Sequence, residues 1–173
     1  FPDFTFGIRL GGEWNNFDFN LFFDGMVGNK IYNYPRYRLE SGNFNGNMST
    51  VLANSWRPDN QNTDIPRFSK TDGADNKWAY TDRWLEDGSY IRLKTLDIGY
   101  TLPKVLTKKI KLENVRIYTS MENLFTLNKY SGYTPDLGES SVAGVAYNVF
   151  SRGIDQGRYP LPRTISFGIQ VNL

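Results

Sequence analysis

The stretch Arg163–Leu173 reads RTISFGIQVNL and alternates strictly. Ile165, Phe167, Ile169, Val171 and Leu173 share one face, and Ser166, Gly168, Gln170 and Asn172 share the other. A period of two marks a strand with one apolar and one wet side, because successive side chains point to opposite faces. In a soluble protein an apolar row of this kind lies under a second layer, whereas in a membrane barrel it faces lipid. Which of the two holds decides what the chain does. No closing turn follows Leu173, so the chain is expected to stop on a strand.

Composition narrows the field. A chain of 173 residues suits one domain, and 39% hydrophobic with 16% aromatic residues is ample for a core. Twelve Phe, 11 Tyr, 4 Trp and 16 Gly favour strands joined by turns, so the expected class is all-β. A net charge of +2 without a basic block makes no electrostatic case for nucleic acid. The lack of cysteine excludes disulfides and thiolate metal sites, and the lack of histidine removes the commonest metal ligand and general base. No metal, cofactor or catalytic residue is expected, and the chain reads as a non-enzyme. No apolar run reaches the roughly 18 residues of a membrane-spanning helix. The mean hydropathy of −0.51 is uninformative about barrels, where apolar and polar residues alternate and long loops are polar. The chain opens at Phe1 without an initiator Met or a signal-peptide core, and is read as a piece of something longer.

Five segments carry the alternation. Phe4, Phe6, Ile8 and Leu10 define a strand over residues 3–13, and Trp14, Asn15 and Asn16 a tight turn. Phe17, Phe19, Leu21 and Phe23 continue the apolar row over 17–27, with Asp18, Asn20 and Asp24 opposite. From Gly28 to Gly88 the alternation fails, which predicts one long loop. A third strand is expected over 90–102, where Leu96, Ile98, Tyr100 and Leu102 alternate; Ile91 and Leu93 are out of phase, which points to a bulge near Lys94 or an upper part that leaves the lipid zone. Pro103 ends it, and Lys104–Lys109 suit one helical turn. A fourth strand, 114–126, sets Val115, Ile117, Thr119 and Met121 against Arg116, Tyr118, Ser120 and Glu122. A second long loop leads to the fifth strand, 163–173. Connections that run short, long, short, long fit an up-and-down barrel with short periplasmic turns and long outer loops. Five strands do not close a barrel, since about eight are needed, so the remaining staves must lie elsewhere.

Several stretches together resemble the C-terminal end of the SusC/RagA class of TonB-dependent outer-membrane transporters. They are FPDFTFGIRLGGEW and NFDFNLFFDGMVGNKIYN within residues 1–33, NSWRPDNQNTDIPR at 54–67, DRWLEDGSYIRLKTLDIGYTLP at 82–103, NVRIYTSMENLFTLNKYSGYTPDL at 114–137 and GIDQGRYPLPRTISFGIQVNL at 153–173. The resemblance covers residues 1–173. It implies an antiparallel up-and-down transmembrane barrel of about 22 strands with long extracellular loops, of which this chain is the last part. It also implies a plug domain that these residues lack, a place in the outer membrane of a Gram-negative bacterium, and import of glycans or peptides. The partners it implies are the remaining strands and plug, a SusD-like lipoprotein lid, and TonB, reached through the missing N-terminal part.

Candidate sites come from both sources. Trp56, Trp78, Tyr80 and Trp84 suit a sugar-stacking platform, although packing inside a large loop is the commoner work of tryptophan. The DRWLEDGSY stretch resembles a family feature found whatever the cargo, which implies scaffolding for Trp84, Glu86 and Asp87. Asp72, Asp75 and Asn76 lack the spacing of an EF-hand and read as a solvated turn. Arg9, Arg92, Lys94, Arg116 and Glu122 are expected on the wet wall, and Trp14, Phe17 and Tyr100 in an aromatic girdle. Ile165, Phe167, Ile169, Val171 and Leu173 are expected to face lipid. The rival reading is a soluble extracellular carbohydrate-binding β-sandwich that shows its aromatic loops to polysaccharide.

Overall fold

The computed structural model describes residues 1–42, 46–68, 81–137 and 153–172. Trp78, Tyr80, Asp72, Asp75, Asn76 and Leu173 lie outside them. The chain divides into two units, one made of Pro2–Gly28, Ser89–Lys129 and Pro160–Leu173, the other of Phe1, Asn29–Gly88 and Tyr130–Tyr159.

The first unit is a sheet of five antiparallel strands. In chain order the strands and their neighbours are β1 (Phe4–Trp14), β2 (Phe17–Val27), β3 (Lys30–Asn33), β4 (Leu85–Asp87), β5 (Tyr90–Thr101), β6 (Asn114–Asn128), β7 (Ile154–Asp155) and β8 (Thr164–Asn172). The sheet order is β1-β2-β5-β6-β8, so each strand lies beside the one before it in the meander. The first strand runs one residue further than the alternation alone indicates. Trp14 pairs with Phe17, and the turn is Asn15-Asn16 alone. Both asparagines hold positive φ (48° and 70°). A two-residue turn of that hand matches the twist of its strands, and asparagine tolerates the left-handed region better than most residues.

Lys94 is the bulge. Leu93 pairs with Phe23 and Thr95 with Phe22, which leaves Lys94 without a partner on β2. On the other side the register also shifts there, from Thr95–Glu122 to Leu93–Phe125, and Asn123 takes a positive φ of 53°. The inserted residue accounts for the phase break at Ile91 and Leu93 and returns both to apolar partners, Leu93 opposite Phe125 and Ile91 opposite Leu127.

β5 and β6 are joined by a short helix α2 (Lys104–Thr107) and a 3₁₀ turn (Lys108–Ile110). Thr107, 1% exposed, anchors the turn: its N–H donates to the Pro103 carbonyl (3.4 Å) and its own carbonyl accepts from Leu112 (3.1 Å).

The second unit gives the long loop regular elements of its own. Residues 28–88 contain β3, helix α1 (Tyr34–Glu40), two 3₁₀ turns (Thr50–Asn54 and Asp82–Trp84) and β4. β3 is central in a three-stranded sheet, antiparallel to β4 and parallel to β7. Two sequence-distant connections are thus knitted into one body. Asn33 caps α1 by accepting from the Arg36 N–H at 3.0 Å, and Pro35 sits in the first turn, where its missing N–H costs nothing. Ile31 and Trp84, each 1% exposed, form the apolar centre.

Candidate functional site: a two-faced sheet and a clasped loop unit

Cross-strand pairing turns the five alternating rows into one continuous apolar face. One course runs Trp14–Phe17–Tyr100–Ile117–Ile169, the next Gly12–Phe19–Ile98–Thr119–Phe167, the next Leu10–Leu21–Leu96–Met121–Ile165. This face is open. Ile165, Phe167 and Ile169 are 56%, 82% and 68% exposed, and Leu10, Phe17, Phe19, Ile98 and Ile117 are exposed as well. A patch of that extent is unusual on a soluble protein and marks a surface that something else covers. At its short-turn end Phe17 and Tyr100 pack with ring centroids 4.6 Å apart, beside an exposed Trp14.

The opposite face is polar and largely self-neutralised. Arg92 forks onto Asp24, Nε to Oδ1 at 2.9 Å and Nη2 to Oδ2 at 2.6 Å. Arg116 forks onto Asp18 in the same way, with Nε–Oδ2 at 2.8 Å and Nη2 on Oδ1. Between them Asp97 accepts from Asn20 (3.2 Å) and Ser120 (2.6 Å). Arg116 and Asp18 sit on strands that flank β5, so their pair crosses directly over Gly99. A Cβ there would lie 2.4 Å from both side chains, and only glycine leaves the path open. Gly168 likewise leaves room for the Tyr118 ring, which carries the Arg116 guanidinium 5.0 Å above it. Arg9 and Lys94 lie over the Phe22 ring at 5.6 and 5.9 Å. Glu122 stands between Thr95 and Thr164.

In the loop unit the centre is Glu86. Its Oε1 accepts from Asn33 Nδ2 (3.1 Å), Arg36 Nη1 (3.1 Å) and the Ser131 hydroxyl (2.8 Å), and its Oε2 from the Ser131 N–H (2.8 Å). Burial pulls this carboxyl upward, and the donors from Ser131, Arg36 and Asn33 outweigh it, leaving Glu86 below the ordinary glutamate value. Arg36 is held above its ordinary value: burial opposes the charge and the carboxylates of Glu86 and Glu40 overcome it. Tyr130 donates to Asp155 at 2.5 Å, and burial together with that carboxylate pushes its phenol far above the usual range. The other oxygen of Asp155 accepts from the Gly157 and Arg158 N–H groups.

The four candidate aromatics part company. Trp84 is buried, edge-on to Tyr37 at 5.6 Å and flanked by the guanidinium groups of Arg36 and Arg83 at 5.9 and 5.6 Å. Its faces are occupied by protein, and it packs the loop unit. Trp56 is 38% exposed on a loop held by its own polar groups, with Asn60 Nδ2 on Asn54 Oδ1 (2.9 Å) and the Thr63 hydroxyl on the Asn54 carbonyl (2.8 Å). Among the described residues no group of three acidic, histidine or cysteine side chains is placed to hold a metal. No described helix is long and apolar enough to cross a membrane.

No family model matches the chain. Curated proteins and solved structures do. TonB-dependent receptor P3 of Formosa agariphila is 39% identical over 98% of this chain, which spans 16% of that protein. TonB-dependent receptor SusC of Bacteroides thetaiotaomicron is 22% identical over 98% of the chain, 15% of its own length. The structure of the RagAB peptide importer in its open-open state superposes with a TM-score of 0.79 at 28% identity, covering all of this chain and 17% of that one.

The chain is a stretch of SusC/RagA-type TonB-dependent receptor.

Its five-stranded sheet is accordingly a sector of the receptor barrel, and the clasped unit is built from the two long connections. The chain spans about a sixth of the relatives it matches. Sequence reasoning found the receptor's strands and missed the clasp. A signal for it was present in YNYPRYRLE, where an asparagine stands two residues before proline at the head of a helix.

Proposed function

We propose that the whole receptor is a TonB-dependent outer-membrane transporter that imports glycans or peptides with a SusD-like lipoprotein as its lid, and that this chain supplies staves of its barrel and two of its outer loops. The observation that carries the reading is the pairing of faces on one sheet. Apolar courses with many exposed side chains lie on one side, and arginine–aspartate forks on the other tie β5 to β2 and, across β5, β6 to β2. Hydrocarbon is the covering that such a face fits, and water in a lumen is the medium that fits its back. The likeness to a peptide importer supports transport. A soluble β-sandwich, by contrast, would bury Phe167 and Ile169, which are 82% and 68% exposed. Short connections then face the periplasm and the clasped unit the exterior, where the exposed Trp56 is available to cargo.

The test is topological. In the intact receptor in cells, Phe167→Cys is expected to resist a membrane-impermeant maleimide and to react with a lipid-soluble one, while Ser120→Cys shows water access. Fast labelling of Phe167→Cys by the impermeant reagent overturns the reading.

A further inference from the structure

The connection between β5 and β6 holds four lysines in a short stretch, Lys104, Lys108, Lys109 and Lys111, with Glu113 the only acidic residue before β6. All four are exposed. Two large apolar side chains stand among them, Val105 at 73% and Leu106 at 50% exposed. The turn is not a loose one. Leu106 and Thr107 both donate to the Pro103 carbonyl, Lys111 takes a positive φ of 56° to close the 3₁₀ turn, and Leu112 bonds back to Thr107. It is also placed at the end of the apolar face: Thr101 at the mouth of the connection donates to Asn16 in the β1–β2 turn, and Tyr100 stacks on Phe17 one residue earlier.

We propose that this turn is a headgroup anchor, in which Val105 and Leu106 enter the edge of the hydrocarbon and the four lysines bind phosphates of anionic phospholipid in the periplasmic leaflet. The proposal rests on the membrane reading above. Charge and continuity select the occupant. Each lysine on its flexible stem reaches laterally along the surface while its head stays in the phosphate layer. Val105 and Leu106 add exposed apolar side chains to the turn that leads out of β5 at the end of the apolar face, which a purely solvated turn does not require. Clustered lysines beside a membrane-embedded element attract anionic lipid at roughly fivefold in affinity per lysine near the surface, an attraction that salt weakens.

The experiment uses the intact receptor in nanodiscs of phosphatidylethanolamine with and without phosphatidylglycerol, the retained lipids being counted by native mass spectrometry. The wild type is expected to retain phosphatidylglycerol preferentially, and K104Q/K108Q/K109Q/K111Q to lose that preference by about tenfold or more while keeping the heat-modifiable migration of a folded barrel. The corresponding four-arginine variant keeps the preference. A glutamine variant that still enriches phosphatidylglycerol overturns the anchor, and so does an arginine variant that loses it, since that outcome means a shaped protein contact rather than a charged surface. Failure of the wild type to enter the bilayer at all is a separate result, which defeats the membrane reading and the anchor with it.

Discussion

The large sheet and the loop unit solve opposite problems with similar amounts of chain. The sheet places Trp14, Phe17, Phe19 and Phe167 on a surface that nothing in the described chain covers, and neutralises its polar back by arginine forks across strands. The loop unit buries Trp84 and holds the polar groups Asn33, Glu86, Tyr130 and Asp155, each matched by a donor or acceptor. The sheet therefore depends on its surroundings, and the loop unit on its own contacts. Substitutions should divide along the same line.

The largest expected effect is in the loop unit. Trp84→Ala removes a side chain that is 1% exposed and strips Tyr37, Arg36 and Arg83 of their common partner. The expected cost is about 3–5 kcal/mol, and it is local. Hydrogen exchange on the intact receptor should show residues 29–88 and 130–159 losing protection while the strands of the sheet keep theirs. Equal loss of protection in β5 and β6 would erase the distinction between the two regions.

Next comes the apolar face. Phe167→Arg is expected to cost about 2–4 kcal/mol near the bilayer midplane, measured as a shift of the urea midpoint for folding into lipid. The matched control is Leu39→Arg on α1. Leu39 is itself 46% exposed, but in the unit that is read as standing outside the membrane, and the change should stay within about 0.5 kcal/mol. Both sites are apolar and exposed, and the medium around them is what is expected to separate them. Similar costs at both positions would mean that the sheet's face meets water.

The sheet was legible in the sequence and the loop unit was not, for a physical reason. β1, β2, β5, β6 and β8 are long enough for a period of two to repeat several times, and each lies with one face apolar throughout, so Phe4 to Leu10 or Ile165 to Val171 announce themselves. Even the bulge at Lys94 left a trace, as a phase error between Leu93 and Leu96. β3, β4 and β7 have four, three and two residues, too few for any periodicity, and their partners are far apart in the chain. What holds them is polar. Glu86 finding Ser131, or Tyr32 bonding to Gly153, is decided by tertiary closure, which residue spacing does not encode. The forks show the same limit on the sheet itself. Asp18, Asp24, Arg92 and Arg116 could all be placed on the wet face, but only the register shows that Arg116 reaches Asp18 across Gly99.

The smallest expected effect tests the clasp by pH. The Glu86 carboxyl is lowered below 4.5 in the folded unit, so its contribution is complete above that value and is lost as pH falls through the lower, folded one. Acid should therefore loosen the junction of the two connections as pH falls through the folded Glu86 value. Glu86→Gln keeps the shape, weakens the bonds from Arg36 and Ser131 by about 1 kcal/mol at neutral pH, and removes the acid dependence that Glu86 contributes. The readout is protease sensitivity of the loops in the intact receptor as pH is lowered, wild type against variant. If the variant keeps the full acid response, some other carboxylate holds the two connections together, and Asp155, bonded to Tyr130 and to the turn at Gly157, is the next to replace.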